Sequence, residues 1–402
     1  MKKLIALAMC SSISLAVFGQ NEIEQGKLYI SPLPIIAANP AFGVIYGGAA
    51  SVGVYMGDPT TTSMSSGLIT ATYSTKQQLM FTFKANSYTH DNEWMLMTDF
   101  RLFFSSQPTY GLGTGPSSHI LSDSDIEFDE ALSTNNGQGE MLNFNLVRIH
   151  QTGLRKINET MYAGVGYHLD VFGSIEDPLV DLNAMPPVAS NHYAYSVKYG
   201  FDPTAYTVSG LSLNWTLDTR DNVANTYNGR YAFASFRYNP EFLGSDQSST
   251  QLWLEYRDFV GLSSTSERNL LAFWSFANFT TSGRLPYMAL PALGWDQMGR
   301  SGRAFPQGRF RGNNMFYAEA EWRFPLPLIA SKPDLLGGVV FANVTTASSE
   351  DNNINLFQYM EPAAGIGLRI MLQKRARTNL TLDYGWGPNG AGAFYLNLNE
   401  YF

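Results

Sequence analysis

The most constraining feature of this sequence is a strict two-residue alternation that recurs in one segment after another. An extended strand places successive side chains on opposite faces, so an apolar face needs a hydrophobic environment. The chain supplies many such segments but no layer to cover them, which predicts a closed barrel with lipid outside and a polar lumen inside. The alternation is clearest over 315–325, where the polar face holds Tyr317, Glu319, Glu321 and Arg323 and the apolar face holds Phe316, Ala318, Ala320, Trp322 and Phe324.

Turn-rich connections separate strand-like segments along most of the chain. The fold class that we predict is all-β, a transmembrane antiparallel β-barrel of about 16 strands. The segment 141–151 is less regular, because Arg148 and His150 follow Leu142, Phe144 and Leu146 in phase, and we expect a bulge or a boundary error there. The predicted strands are 28–36, 43–56, 66–75, 78–88, 93–104, 140–151, 159–172, 206–219, 229–239, 249–260, 268–281, 315–325, 335–347, 362–373, 377–387 and 391–402.

Connection lengths provide an independent check on this assignment. If the chain starts on the periplasmic side, every second connection is a periplasmic turn, and all of these are short. The long connections 105–139, 173–205, 282–314 and 348–361 all belong to the other set. Short periplasmic turns and long extracellular loops are typical of outer-membrane barrels, which predicts the bacterial outer membrane as the location and its lipid as a partner.

The first residues have the pattern of a targeting segment. Two lysines precede an apolar run that ends at Phe18, and small Gly19 follows, which predicts a secretory signal peptide over 1–19. Cys10 suggests the alternative of a lipoprotein, but Met9 is a poor residue before a lipidated cysteine. We assign 20–402 to the barrel and expect no periplasmic domain, because the few residues before the first strand are too short for one.

Several kinds of chemistry are not indicated. Loss of Lys2 and Lys3 with the signal peptide takes the net charge from −8 to −10, which argues against nucleic acid as a partner. The glycine-rich segment 110–115 lacks the strand–helix context of a nucleotide site, and no GxSxG elbow is present. The five histidines lack metal-ligand spacing. We predict no enzyme activity, no cofactor and no metal; the scattered histidines are His90, His119, His150, His168 and His192.

The segment 302–326 resembles the sixth extracellular loop and following strand of the BamA/TamA (bacterial surface antigen) superfamily. The matching residues are Arg303-Ala304-Phe305, a Gly-Arg-aromatic-Arg stretch at 308–311, and an aromatic-Pro-Leu ending at 324–326. Ala304 departs from the family pattern, which has Gly at that position. A second register takes Arg311-Gly312 as the motif, but it puts Asn313 where the aromatic residue belongs.

Other segments add to this resemblance. Residues 218–222 (Asp-Thr-Arg-Asp-Asn), with Gly229 closing the turn, are similar to a second family motif, in which Asp218, Arg220 and Asp221 are the candidate residues. Hydrogen bonding within the turn alone would equally account for these three side chains. The segment 382–385 and the final Phe402 are weaker matches.

The resemblance implies that the loop folds back into the lumen and that one of its arginines pairs with carboxylates of the wall. A guanidinium held by carboxylates in a confined lumen would fix the loop better than a surface pair could. The alternative is a solvated external loop. The candidate plug residues are Arg303, Phe305, Arg309 and Arg311, and their candidate partners are Glu319, Glu321 and Asp383.

The last predicted strand alternates and ends on an aromatic residue. We expect Phe394, Leu396, Leu398 and Phe402 to share its lipid face, interrupted only by Glu400, and to be recognised by the outer-membrane insertion machinery during the protein's own assembly. An ordinary sheet strand that happens to end the chain is the alternative.

The function implied by the resemblance is assistance in the insertion or translocation of outer-membrane or surface components, together with partner subunits. Its mechanism would use a weakly paired seam between the first and last strands, where Pro32 and Pro34 remove ladder donors. Family members with this activity carry periplasmic domains, so two alternatives stay open. One is a passive pore for small solutes, and the other is an interaction scaffold with binding loops at 105–139 and 173–205.

Overall fold

A computed structural model describes residues 24–39, 41–116, 127–128, 139–185, 187–223, 225–374, 377–388 and 390–402. Within these residues, sixteen strands form one closed antiparallel barrel in which consecutive barrel strands are neighbours. The barrel strands are β1 Tyr29–Asn39, β2 Gly43–Val54, β3 Ser65–Ser74, β4 Leu79–Tyr88, β5 Trp94–Thr109, β7 Glu140–Lys156, β8 Met161–Glu176, β10 Tyr206–Asp218, β11 Gly229–Asn239, β12 Ser249–Gly261, β13 Leu270–Gly283, β14 Asn314–Pro325, β15 Leu336–Ala347, β16 Glu361–Gln373, β17 Thr378–Trp386 and β18 Gly392–Leu398.

Short elements lie in the connections between barrel strands. β6 Glu127–Phe128 and β9 Val188–Ala189 form a separate parallel pair. Helix α1 spans Asn191–Tyr199, and 3-10 turns span His90–Asn92, Glu241–Leu243 and Tyr287–Ala289. Among the described helices, none has the length and apolar content needed to cross a membrane. The predicted signal peptide lies outside the described residues, as does most of the loop 105–139.

The predicted fold class is confirmed, and each predicted strand corresponds to one barrel strand. Alternation separates the two faces as expected. In β10, Leu211 and Leu213 are 54% and 65% exposed on the outside, whereas Ser212 and Asn214 are buried inside. Exposed apolar side chains in this phase form the lipid-facing surface, and the lumen is lined by polar and charged groups.

The upper part of the lumen, near the long loops, is an exception to this polarity. Leu142, Phe144 and Leu146 of β7 face inward and are buried in an apolar cluster with Tyr195 of α1 and Tyr287 of the loop 284–313. The ladder between β7 and β8 does contain a register shift, between Asn143 and Asn145. The irregular phase of β7 nevertheless has a simpler cause, because the loops fill this end of the lumen with an apolar core.

Helix α1 was not predicted, although its ends carry recognisable signals. The Ser190 side chain accepts a hydrogen bond from the backbone N–H of Tyr193, and Gly200 ends the helix with φ +72°. The helix covers the upper apolar cluster, and the Tyr195 hydroxyl donates to the backbone oxygen of Leu285 at 2.9 Å. An extracellular loop and the loop 284–313 are thereby packed together.

The barrel closes between β1 and β18, and this junction is thin. β1 pairs with β2 along its whole length, from Tyr29 opposite Gly53 to Asn39 opposite Gly43. With β18, the described residues give one register pair, Ala38 opposite Leu396. We call the junction of β1 and β18 the seam. Pro32 and Pro34 have no backbone N–H to donate, which further limits the hydrogen bonds that β1 can form.

Candidate functional site

The loop 284–313 connects β13 to β14 and lies against the inner wall of the barrel. Burying backbone N–H and C=O groups without hydrogen-bond partners costs free energy. The loop can lie inside the barrel because its backbone groups find such partners there. The backbone N–H of Ala304 donates to the Tyr395 hydroxyl of β18 at 3.1 Å, and that hydroxyl donates to the backbone oxygen of Phe305 at 3.0 Å. Phe305 is buried and packs edge-on against Phe310, with ring centroids 5.0 Å apart.

The Arg303 guanidinium is held by all three predicted carboxylates. Its Nη2 donates to Glu319 Oε1 at 2.5 Å and also to Glu321, and its Nη1 donates to Asp383 Oδ2 at 3.3 Å. The four side chains have no solvent exposure. The structure therefore brings the plug residue Arg303 together with β14 and β17, in a geometry that a solvated external loop would lack.

Burial and charge act in opposite directions on Arg303. Desolvation of this loop residue disfavours its charged form, but the attraction of Glu319, Glu321 and Asp383 outweighs it and raises the pKa well above its usual value. The rings of Phe341 and Tyr401 also lie close, with centroids 3.6 and 4.2 Å from the guanidinium carbon. Arg303 therefore keeps its positive charge in this buried position and stays attracted to the three carboxylates.

Close approach of the loop to β17 depends on two backbone features. Ala304 has φ +102°, in the region that favours glycine, which accounts for the Gly that the resemblance expects there. A Cβ placed on Gly385 would lie 2.9 Å from the Ala304 nitrogen. Asp383 and Gly385, from the weaker predicted motif 382–385, thus contribute a partner for Arg303 and the space for its backbone.

Two further arginines extend the charged cluster, and sequence reasoning did not identify them as part of it. Arg369 of β16 donates to Asp383 at 2.6 Å and to Glu400 at 2.7 Å. Arg323 of β14 donates to Glu321 at 2.6 Å. The alternation of the sequence places both arginines on the lumen face of their strands. It does not indicate which side chains from different strands contact each other inside the lumen. We call these seven residues the lumen cluster: Arg303, Arg323, Arg369, Glu319, Glu321, Asp383 and Glu400.

Arg309 and Arg311 lie elsewhere in the same loop. Arg309 packs over the Tyr110 ring, with its guanidinium carbon 4.5 Å from the centroid. Arg311 is fully buried and donates through Nη1 to the backbone oxygen of Tyr287 at 2.9 Å, whereas its Nε and Nη2 have no hydrogen-bond partner among the described residues. Of the two registers left open by the sequence, the one centred on Arg303 reaches the wall carboxylates.

The final residues are placed differently from our expectation. Phe394 and Leu398 are 49% and 37% exposed on the lipid face, but Phe402 is only 4% exposed and does not share that face. β18 ends at Leu398, Asn399 takes φ +66°, and residues 399–402 turn into the lumen. Glu400 in the supposed lipid phase was the sequence signal that the strand ends earlier. Phe402 packs on Trp274 at 5.3 Å between centroids.

The turn 219–228 has both local and distant contacts. Asp218 accepts from Arg220 Nε at 2.9 Å, which is local to the turn. Asp221 accepts from the backbone N–H of Tyr227 at 3.0 Å and from Arg377 Nη1 at 2.6 Å. Arg377 lies in the turn between β16 and β17, several strands away in the barrel order. This turn therefore lies across the short-turn end of the lumen, and we call it the strap.

Comparison with known proteins places these features in context. The Omp85 superfamily domain model matches residues 69–402. Similar solved structures include BamA from Haemophilus ducreyi lacking POTRA domains 1–3, with 14% identity and a TM-score of 0.59 over 94% of this chain and 70% of that chain. No curated protein matches the sequence significantly.

Two CdiB structures are also similar in fold. CdiB from Acinetobacter baumannii has 12% identity and a TM-score of 0.52 over 92% of this chain and 59% of that chain, so this chain spans less than two thirds of its length. CdiB from Escherichia coli has 10% identity and a TM-score of 0.54 over 94% of this chain and 68% of that chain. At these identities the likeness establishes the barrel fold.

Proposed function

This chain belongs to the Omp85 superfamily, and from that membership we propose that it assists the insertion or translocation of outer-membrane or surface components together with partner proteins. The family and the barrel fold indicate a bacterial outer membrane as its location. The single observation that carries the proposal is the seam, where the described residues of β1 and β18 share one register pair.

A thin seam can do something that a fully paired barrel cannot. Unpaired backbone groups at a strand edge form a template for another strand, and adding a strand is a recurring mode of peptide recognition. Among the described residues, the seam has no further register pair at residues 392–395 of β18 or at residues 29–37 of β1. A substrate strand entering from the lumen or the membrane would pair with these edges before it leaves laterally into lipid.

The pore alternative makes a different demand on the lumen. A passive pore needs a continuous water-filled path, whereas the buried loop 284–313 and the inward residues 399–402 occupy the interior. Large steady currents through the intact protein in planar bilayers would favour the pore.

The scaffold alternative rests mainly on the loops 105–139 and 173–205, and proteins captured by those loops alone would favour it.

The decisive experiment locks the seam. Directly opposite residues of antiparallel strands lie within disulfide range, so Ala38→Cys with Leu396→Cys would join β1 to β18. The matched control, Leu382→Cys with Leu396→Cys, joins β17 to β18 and leaves the seam free. Cys10 is the one native cysteine and lies within the predicted signal peptide 1–19, so Cys10→Ser is needed only for chains that keep this segment.

The locked protein would be compared with the control in vesicles, by the rate at which an unfolded outer-membrane barrel inserts. We expect the oxidised seam lock to abolish the acceleration, a reductant to restore it, and the control to retain it. Equal acceleration by the locked and control proteins would contradict the proposal. Partner proteins that copurify under mild detergent would identify the other components.

A further inference from the structure

A cleft lies on the outer side of the barrel at the short-turn ends of β10, β11 and β12. Its volume is about 690 Å³, and residues from all three strand ends form its walls. Leu217, Arg230, Asp258 and Val260 are in the outward phase of their strands, the phase that also holds the exposed Leu213. We call this feature the outer cleft. It is separate from the seam and from the lumen cluster.

The outer cleft holds an ion pair beside the apolar side chains of Leu217 and Val260, and polar Thr219 and Asn228 complete this part of its lining. Arg230 Nε donates to Asp258 Oδ1 at 3.2 Å, and the Tyr256 hydroxyl donates to Asp258 Oδ2 at 3.0 Å. A charge on the lipid face of a barrel costs about 2–4 kcal/mol at the membrane midplane and about 0–1 kcal/mol near the interfaces. The pair lies close to the ends of its strands, which is the depth of the lipid headgroups.

The side chains of Arg230 and Asp258 differ in how far they are exposed to solvent. The Asp258 side chain is 19% exposed, whereas that of Arg230 is 63% exposed. Among the described residues, Arg230 donates to Asp258 through Nε, and its two Nη groups make no hydrogen bond. A guanidinium fork prefers a bidentate phosphate or carboxylate, and a carboxylate beside it prefers a cation.

We propose that the outer cleft binds one zwitterionic phospholipid, of the phosphatidylethanolamine class, from the adjacent leaflet. The phosphate accepts from the Nη groups of Arg230, and the ammonium group donates to Asp258. The acyl chains lie along Leu217 and Val260, which are apolar and border the pair. Asp258 discriminates against lipids whose headgroup carries a phosphate but no cation. The negative charge of such a headgroup would be repelled by the Asp258 carboxylate, with no ammonium group to offset the repulsion.

The chain contains a matched comparison site. Arg155 pairs with Glu93 at 3.6 Å at the same end of the barrel, and both side chains are largely exposed, at 68% and 61%. Neither residue lines the outer cleft. Arg155 therefore has the charge and approximate depth of Arg230 but lies outside the cleft, so it measures the non-specific attraction of a basic side chain for lipid.

Native mass spectrometry of the full chain in detergent tests the proposal, with titration of phosphatidylethanolamine, of phosphatidylglycerol and of soluble glycerophosphoethanolamine. We expect one phosphatidylethanolamine to be retained, and both Arg230→Ala and Asp258→Asn to weaken its binding about tenfold, equivalent to about 1.4 kcal/mol. Arg155→Ala should leave retention unchanged. Arg230→Lys, which keeps the charge but loses the fork, should weaken binding less than Arg230→Ala.

Each other outcome would overturn the proposal. Equal retention by wild type and Arg230→Ala, or an equal loss with Arg155→Ala, would mean ordinary annular lipid. Equal affinity for phosphatidylglycerol would remove the role of Asp258. Equally tight binding of the soluble headgroup would assign the site to a free phosphodiester instead of a lipid. Migration of unheated samples in SDS gels establishes that each variant is folded, so a loss of binding cannot come from unfolding.

Discussion

β18 has two very different sides. Toward the lumen it is bound to the loop 284–313 through Tyr395, and the residues that follow it enter the lumen cluster. Toward β1, the described residues give it one register pair. On its other edge, β17 pairs with seven of its residues, from Gly392 to Leu398. The last strand is therefore held by the loop 284–313 and by β17, and the described residues give it little pairing at the edge where the barrel closes.

The contrast between the two sides of β18 indicates where movement can occur. Buried charge pairs resist separation, because removing one partner leaves the others desolvated and unpaired. A strand edge with few ladder bonds resists much less. We infer that β18 and the loop 284–313 move together and that the seam is where the barrel opens. The following three predictions test this contrast on the side that is firmly held.

The largest effect is expected from Arg303→Ala. It leaves Glu319, Glu321 and Asp383 buried without their central cation, so the free energy of unfolding should fall by about 3–5 kcal/mol. Urea titration in vesicles measures this loss. Planar bilayers should also record openings that the intact protein lacks. The matched control is Arg284→Ala, which breaks an exposed pair with Glu350 and should cost less than about 1 kcal/mol.

A smaller effect is expected from Tyr395→Phe. The variant keeps the ring but loses two hydrogen bonds to the loop backbone, at Ala304 and Phe305, which should cost about 1–3 kcal/mol. If β18 and the loop move together, a cysteine pair at Ala38 and Leu396 should oxidise at a different rate in this background. An unchanged rate, with the stability loss present, would show that the loop does not control the seam.

The smallest effect is expected from Asp221→Asn in the strap. Its ion pair with Arg377 is partly exposed, at 34% and 23%, so the loss of unfolding free energy should be about 0.5–1 kcal/mol and should shrink in high salt. Seam oxidation should not change, because the hydrogen bonds of the described strap residues reach the turn between β16 and β17 and none of them reaches β18. A change in seam oxidation as large as that of Tyr395→Phe would mean that the strap also holds the last strand.

Much of the fold was predictable, because alternation is a local property of each strand. Alternation in most of the segments from 28–36 to 391–402 indicates which face meets lipid, and the lengths of the connections assign their sides independently. The carboxylates that hold Arg303 were also predictable, since Glu319, Glu321 and Asp383 are acidic residues in lumen phase and the resemblance implied a pairing with the loop.

Other features depend on contacts that alternation cannot express. A period of two separates the faces of β7, but it does not reveal that Leu142 and Phe144 face an apolar lumen filled by distant loops. Helix α1 is stabilised by that same cluster. The inward path of residues 399–402 depends on the positive φ of Asn399 and on partners from several strands, so the ending on Phe402 suggested a longer strand than exists.

The inward course of residues 399–402 also bears on the order of assembly. Their partners Phe259, Trp274, Arg323, Arg369 and Asn379 come from five separate strands. These residues can dock only when that part of the wall already exists, so their arrival marks the completion of the molecule. Phe402 packs against the indole of Trp274. A change in the fluorescence of Trp274 during folding should therefore report when residues 399–402 dock.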